Sequence, residues 1–458
     1  MLSSRIATGV RMLTTSTMAG HKLIAVCQMT SSHNIEENYA TMKDMIKRAA
    51  YRNCKMVFFP ECSDFVGRTR QESVDQAIFM DGDFVKRLQR DAAEHGIWIS
   101  VGSIHEQVDE ECLPHTAPVK VCMPKNSNLV IDAKGDLVGK YRKLHLFDLD
   151  IPGKVRLMES EFSSAGHHLV KPIETPVGRL GMCICYDVRF PELSLWYRKQ
   201  GAQILSYPAA FTVSTGLAHW ETLLRTRAIE TQCYVVAAAQ TGMHNEKRSS
   251  YGHSMIVDPW GAVVAQCSDE VDMCFAEIKL DYLEKIRLTQ PVFAHRRNDL
   301  YSLNSNYVAN PGESDIMFGE HVISKDTIFY RSELSYAFVN HKPVVEGHVL
   351  VAPINKVERL TDLTDEETAD LFIVAKRVQK MLEKAHKTNS STVAVQDGPC
   401  AGQTVKHVHV HIVPRTEGDF KGDDIYEELS KHDKKEREPR PHQHMKEEAE
   451  LYAKYMLY

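Results

Sequence analysis

The alternation of short apolar runs and helical patterns that fills most of this chain stops at NSNYVANPGESD, residues 304–315, where Asn, Ser, Pro and Gly gather without periodicity. Such a stretch buries little apolar surface of its own, so it reads as a joint, placed between about 298 and 320. Each side must then fold around its own core. The length agrees, because 458 residues exceed what one hydrophobic core usually serves, and 43% apolar residues suffice to fill two. The expected division is a leader at 1–20, a first domain at 21–297, a linker at 298–320 and a second domain at 321–458.

The totals exclude several classes. A net charge of -6 leaves no excess of Lys and Arg to neutralise a nucleic-acid backbone, so no nucleic acid is expected, while a local phosphate site stays compatible. No run approaches eighteen consecutive apolar residues, so no membrane span is expected. The eleven cysteines are dispersed with no CxxC pair, which fits buried thiols in a reducing, cytoplasmic compartment better than a disulfide framework. The first twenty residues carry Arg5, Arg11 and many hydroxyls, and no acid precedes Glu36. That composition suits either a mitochondrial transit peptide or a disordered tail, with Met12 and Met18 as later starts.

From residue 21 the pattern predicts a strand to 29, a helix capped by Asn34 with Glu37, and a buried strand at 55–61 that Pro60 halts just before Glu61. A helix at 83–95, a strand at 97–105 and a hairpin around Lys134-Gly135-Asp136 follow. RLGMCICYD (179–187) reads as a strand, Pro191 opens a helix closed by Gly201, and 203–242 repeats strand, helix (218–232), strand. A hairpin through 258–261 and a strand at 272–278 finish the block. Its hairpins argue against a purely parallel sheet. In the second block, strands are expected at 327–331, 335–341, 347–353, 392–398 and 405–414. Thr364 and Glu367 cap a helix to about His386 with a stripe of Ala369, Phe372, Ala375, Val378, Met381, Leu382 and Ala385.

KHVHVHIVPR, residues 406–415, places His407, His409 and His411 at every second position. On a strand these share one face while Val408, Val410 and Ile412 anchor the other. Three readings compete. A straight strand carries the third imidazole too far to close a tetrahedral zinc site. Three exposed histidines on a polar face is the bland reading. The third makes the middle imidazole a nucleophile, its neighbours orienting it and binding anions, with Gln396, Gln403 and Thr404 as phosphate donors.

QDGPCAGQTVKHVHVHIVPR and LSYAFVNHKPVVEGHVLVAP resemble the fragile histidine triad branch of the histidine triad (HIT) superfamily, over essentially all of 318–458. The resemblance implies an α+β domain that cleaves dinucleoside polyphosphates through a covalent nucleotidyl-histidine. It makes His409 the nucleophile and sets His407 on the phosphates or leaving group. It places His348 and His411 behind the site, Gln396 at the scissile region and Asn340 in the nucleotide pocket. No protein cofactor is needed, and Mg²⁺ enters only as a companion of the polyphosphate.

In the first block, three expected strand ends display Glu61, Lys143 and Cys185. Singly each is bland: a turn cap, a surface charge, core filler. Together they supply what amide cleavage requires, namely a thiol nucleophile, a carboxylate to move its proton and an ammonium for the oxyanion. Cys183 shares a strand face with Cys185; the turn-like YDVRFPE that follows favours Cys185. These segments, with GHHLVKPIETPVGRLGMCICYDVRFPELSLWYRKQGAQILSYPAAF and HWETLLRTRAIETQCYVVAAAQTG, resemble the nitrilase superfamily over about 22–300. The resemblance implies an α-β-β-α sandwich with Glu61 as general base, Lys143 as oxyanion-side cation and Cys185 as thioester-forming nucleophile. It adds Glu159 as a supporting glutamate and the Tyr186 N–H as an oxyanion donor. The most similar branch acts on small omega-amides, such as deaminated glutathione. Arg189 and Arg248 are candidates for its carboxylate, or plain fold-stabilising cations.

The expected fold class is therefore α/β, a nitrilase-like α-β-β-α sandwich followed by an α+β histidine triad domain. The joined arrangement resembles natural fusions of these two families and implies a homotetramer. The alternative in a different class is a scaffold or signalling protein controlled by nucleotide occupancy, in which turnover is secondary.

Overall fold

The computed structural model describes residues 22–108, 123–151, 155–298, 300, 301, 303, 305, 314–421, 424–430 and 438–456. The expected leader at 1–20, Cys112, Cys122 and much of the expected linker lie outside these. The chain divides into two compact units, the first ending at His295 and the second beginning at Arg296. No helix among the described residues is long and apolar enough to cross a membrane.

The first unit is built on two large sheets, with a two-stranded ribbon, Asp148–Ile151 and Val155–Met158, in addition to them. The strand Leu23–Met29 lies at the middle of the larger one, parallel to Met56–Phe58 and antiparallel to Asp272–Glu277. Its side chains alternate, and both faces are buried. Ala25, Cys27 and Met29 join Met42, Met45 and Ile46 of helix Ile35–Tyr51 and Leu88 of helix Asp83–His95 in one core. Ile24 and Val26 on the opposite face are equally inaccessible. The second sheet runs parallel through Gly178–Met182, Ile204–Ser206 and Tyr234–Ala237, carries antiparallel Ile173–Thr175 and Met255–Val257, and has helix Val213–Thr231 against it. The layers are helix, sheet, sheet, helix, mixed rather than purely parallel.

Several expected strands come out shorter or broken, four of them for an evident local reason. The run 97–105 is two strands, Trp98–Ser100 and Ile104–Glu106. Between them Gly102 takes φ +83°, and a Cβ there would lie 2.1 Å from the carbonyl oxygens of Phe59 and Pro60. Only glycine lets the chain pass so close to the segment that delivers Glu61. The run 179–187 ends as a strand at Met182 and becomes a 3₁₀ turn over Cys185–Arg189. The run 233–242 splits into Tyr234–Ala237 and Ala239–Asn245, which serve different sheets. The run 405–414 is regular only over Val410–Arg415, because His407 N–H turns back to the Val405 carbonyl.

The second unit is a five-stranded antiparallel sheet in the order Ile328–Arg331, Ser335–Val339, Val349–Pro353, Val410–Arg415, Ser390–Val395. Helix Asp365–Ala385 starts at the expected reciprocal cap, Thr364 accepting from Glu367 N–H while the Glu367 carboxylate accepts from Thr364 N–H. It buries Leu371, Val374, Ala375, Val378, Met381 and Leu382 against Val408, Val410 and Ile412. The stripe is rotated from the one expected. Leu371 and Val374 face inward, while Phe372 is 41% exposed. The hairpin Ile316–Phe318/His321–Ile323 and helices Leu280–Thr289 and Asp424–Ser430 had no expectation behind them.

Candidate active sites

Four side chains converge in the first unit. Glu61 leaves the end of Met56–Phe58 two residues after Phe59, whose N–H still bonds the Ser100 carbonyl. Lys143 follows strand Leu137–Arg142, and its Nζ lies 2.8 Å from Glu61 Oε1 and 2.8 Å from Glu159 Oε2. Glu159 opens a short 3₁₀ turn and is pinned by the Phe147 N–H at 2.8 Å. Cys185 hydrogen-bonds the Glu61 carboxylate through its thiol. Its φ is +46°, a left-handed conformation costly for a residue with a Cβ. Asp187 holds that turn, accepting from Ile184 N–H at 2.9 Å and Tyr141 Oη at 2.6 Å and bonding His145 Nδ1 at 2.7 Å.

The electrostatics follow from burial against charge. Burial raises the Glu61 carboxyl, but the Lys143 ammonium and the hydrogen bonds from Cys185 and Lys143 prevail and hold it below the usual carboxylate range. Burial depresses Lys143, yet Glu159 and Glu61 outweigh it and keep the ammonium well above its ordinary value. Burial and then the Glu61 charge push the Cys185 thiol up. The resting set is thiol, carboxylate, ammonium, carboxylate. Cys183 is fully buried against Tyr207, and burial followed by the nearby Asp187 charge pushes its thiol up; neither Glu61 nor Lys143 acts on it.

Two participants were missed. Asn126 Nδ2 donates to Glu61 Oε1 at 2.9 Å and Glu159 Oε1 at 3.1 Å, and Ala210 N–H donates to Glu61 Oε2 at 2.9 Å. The available signal for Asn126 was KNSN, four polar residues opening a strand that the hairpin forces inward; all four are buried. Around the cysteine, the Tyr186 ring meets Phe147 and Phe190 edge-on, and Arg189 lies 5.8 Å above Tyr186 and 5.4 Å from the Phe211 ring. Among the described residues neither Arg189 nor Arg248 makes an ion pair, and Arg248 contributes to holding the Glu61 carboxyl down.

The second unit gathers the histidines differently from a straight strand. Only His411 is within the ladder, opposite Leu350 and Ala394. His407 is fully buried, with Gly319 N–H bonding its Nδ1 at 3.2 Å and its Nε2 bonding the Pro353 carbonyl at 2.8 Å. Both ring nitrogens are engaged by backbone, which departs from the expected phosphate contact; burial also lowers its basicity. His409 Nδ1 donates to the His407 carbonyl at 2.7 Å, which leaves the lone pair on Nε2. The ring is 5% exposed, the most accessible of the three, with Phe318 edge-on at 5.0 Å and His411 at 4.8 Å. Behind it, Val344 N–H donates to His348 Nδ1 at 3.2 Å, so His348 Nε2–H points at His411 Nδ1, 3.0 Å away.

The expected substrate contacts divide. Asn340 Nδ2 lies 3.4 Å from the His348 ring, and Arg440 donates twice to the Asn340 carbonyl, tying the last helix, His442–Met456, to the histidine cluster. Gln396 donates weakly to the Leu429 carbonyl at 3.3 Å. Gln403 is committed to the loop, donating to the Glu358 carbonyl at 2.8 Å and accepting from Gly398 N–H at 2.7 Å, and Thr404 is exposed beside it. Among the described residues no group of three or more His, Cys, Asp or Glu side chains is placed to hold a metal ion.

Two family models match the chain, carbon-nitrogen hydrolase over residues 23–288 and HIT domain over 322–418. The nitrilase and fragile histidine triad fusion protein NitFhit of Caenorhabditis elegans is 58% identical over 442 residues, covering 96% of this chain and 98% of that protein. Its crystal structure superimposes with a TM-score of 0.84 over 95% of this chain and 99% of that one, at 56% identity. The first unit alone is similar to the deaminated glutathione amidase of Rattus norvegicus, 46% identical over 61% of this chain and 83% of that protein. An α/β carbon-nitrogen hydrolase domain is followed here by a HIT domain, and the chain belongs to the NitFhit family of nitrilase and fragile histidine triad fusion proteins.

Proposed function

We propose that the two units are separate hydrolases, a thiol amidase and a dinucleoside polyphosphate hydrolase. For the first, the observation that carries the reading is the buried Glu61–Lys143–Glu159 cluster against Cys185. Glu61 takes the thiol proton, sulfur attacks the amide carbon to form a thioester, and the same proton passes to the departing nitrogen. Lys143 balances the oxyanion, Glu159 holds Lys143, and the Tyr186 N–H adds an oxyanion donor. The substrate is a small omega-amide; the name of the rat relative points to deaminated glutathione. Arg189, half-buried at the cysteine turn without an acidic partner, takes its carboxylate, with Arg248 as a second cation.

For the second unit, the carrying observation is the contact of His409 Nδ1 with the His407 carbonyl, which sets the tautomer of the neutral ring. Nδ1–H on a carbonyl leaves Nε2 as an unprotonated nucleophile, able to attack phosphorus and form a nucleotidyl-histidine that water then cleaves. His348 and His411 fix the ring from behind, and Gln396, Thr404 and Asn340 serve the substrate. His407 and Gln403 are better placed to shape the pocket than to touch phosphate. Mg²⁺ accompanies the polyphosphate. A homotetramer, a cytoplasmic location and a mitochondrial form belong to the same reading.

The test incubates purified protein with an omega-amide panel and with diadenosine triphosphate and identifies the products. AMP with ADP, and a carboxylic acid with released amine or ammonia, are expected. Tight nucleotide binding with negligible release of AMP would favour the occupancy-controlled scaffold over the second hydrolase.

A further inference from the structure

We propose that Asn126 decides which oxygen of Glu61 carries the proton taken from Cys185, a positioning role that rests on the amidase reading of the first site. Glu61 has four in-plane lone-pair sites, two on each oxygen. Both on Oε1 are taken, by Lys143 Nζ at 2.8 Å and Asn126 Nδ2 at 2.9 Å. Oε2 accepts the Ala210 N–H at 2.9 Å, and that N–H also reaches the Cys185 sulfur. With both Oε1 sites taken, the site open to the Cys185 thiol, which bonds this carboxylate, is on Oε2.

The transfer follows. The S–H bond breaks and an O–H bond forms on Oε2, the electron pair stays on sulfur and attacks the amide carbon, and the C–N bond breaks as the Oε2 proton moves to nitrogen. Water then adds to the thioester, giving its proton to Oε2, and the proton returns to the departing thiolate.

Lys143 alone would not secure this through the cycle. Once protonated, Glu61 is neutral and its pull on the ammonium falls, while Glu159 keeps its own at 2.8 Å. An amide N–H donates to a carboxylate and to the carbonyl oxygen of a carboxylic acid alike, so Asn126 holds Oε1 in both states. By bridging to Glu159 Oε1 at 3.1 Å it also fixes the spacing of the two carboxylates without a second cation, which would depress the basicity Glu61 needs. The amide orientation has a cost that supports this. Asn126 is 8% exposed, and its Oδ1 is buried with no hydrogen-bond partner among the described residues. A flip would aim that oxygen at two carboxylates, so the orphaned acceptor is the lesser penalty.

The test reads Cys185 directly, without a substrate: the rate of alkylation by iodoacetamide against pH, the site verified by mass spectrometry, in wild type, Asn126→Ala and Asn126→Gln. Losing one donor to the carboxylate moves the acid limb up by about one pH unit in Asn126→Ala. Asn126→Gln, which keeps an amide donor on a longer arm, falls between the two. The kcat for the best omega-amide drops about 10- to 100-fold in Asn126→Ala with KM within about threefold. An unmoved acid limb, with or without a lower kcat, would overturn the proposal, since a merely structural residue lowers rate without shifting the ionisation. If Asn126→Ala does not fold, the same limb in Asn126→Gln decides. Wild-type protein that alkylates at Cys185 but cleaves no amide would instead overturn the amidase reading and leave the alkylation result to stand or fall separately.

Discussion

Cys183 and Cys185 are two positions apart in the sequence and both are buried, but only Cys185 bonds the carboxylate beside an ammonium. Its strained φ turns the thiol toward Glu61 where a continued strand would not. Cys185→Ser is expected to lower amide turnover roughly a thousandfold or more, because the hydroxyl is the poorer nucleophile under the same base. Cys183→Ser is expected to keep turnover near wild type while losing stability. Steady-state kcat with mass-spectrometric trapping of the thioester checks both, and a fully active Cys185→Ser variant would remove the nucleophile assignment. The pH dependence has a definite sign. Because the folded Glu61 carboxyl is held below its usual range, activity and the stability this group contributes are present above the unfolded value of about 4.3. Both are lost as pH falls through the lower, folded value. The sequence singled out Glu61, Lys143 and Cys185 by their chemistry, and the structure brings these three side chains together. Asn126 and the Ala210 N–H were not singled out, because an amide and a backbone donor announce nothing until the fold sets them against a carboxylate.

Elements were legible where period and punctuation agree, and wrong where backbone conformation intervenes. Val408, Val410 and Ile412 reach the core as their alternation demands, yet His407 and His409 precede the ladder because the chain turns at Val405. Gly102 breaks a run that reads as continuous β in order to admit the Phe59–Pro60 backbone. Helix Asp365–Ala385 shows the opposite case, since its cap is written locally in Thr364 and Glu367. Its inner face, which carries Leu371, Val374 and Val378, is what the histidine segment rests on. Thr364→Ala should therefore cost about 1 kcal/mol and lower the unfolding midpoint of that unit by a few degrees, with Thr364→Ser restoring it. Thermal unfolding monitored alongside diadenosine triphosphate cleavage checks this. A loss of activity at 25 °C with no change in midpoint would mean the cap acts on the site rather than on the helix.

At the scale of the whole molecule, the sequence break at 304–315 and two unrelated motif sets made the two-part character readable. Each unit holds its own buried core, the first around Ala25, Met42 and Leu88 and the second around Val351, Leu371 and Val410. On the proposed mechanisms the two chemistries share no intermediate: a thioester would pass an acyl group to water, a nucleotidyl-histidine a nucleotidyl group. Substitutions at sites without shared partners act additively. Cys185→Ala should accordingly abolish amide cleavage while diadenosine triphosphate hydrolysis stays within about twofold of wild type, and His409→Asn should do the reverse. The double variant should equal the sum of the two defects. His409→Asn removes the imidazole that must bond to phosphorus but preserves a polar side chain of similar reach, so nucleotide binding should persist without a labelled covalent intermediate. Radiolabel trapping reads the intermediate, and equilibrium binding of a nonhydrolysable analogue reads occupancy. If adding that analogue to the His409→Asn protein changed kcat for the amide several-fold, independence would fail. The fusion would then couple nucleotide occupancy to amide turnover, a free-energy linkage between the sites that either ligand would report reciprocally in binding.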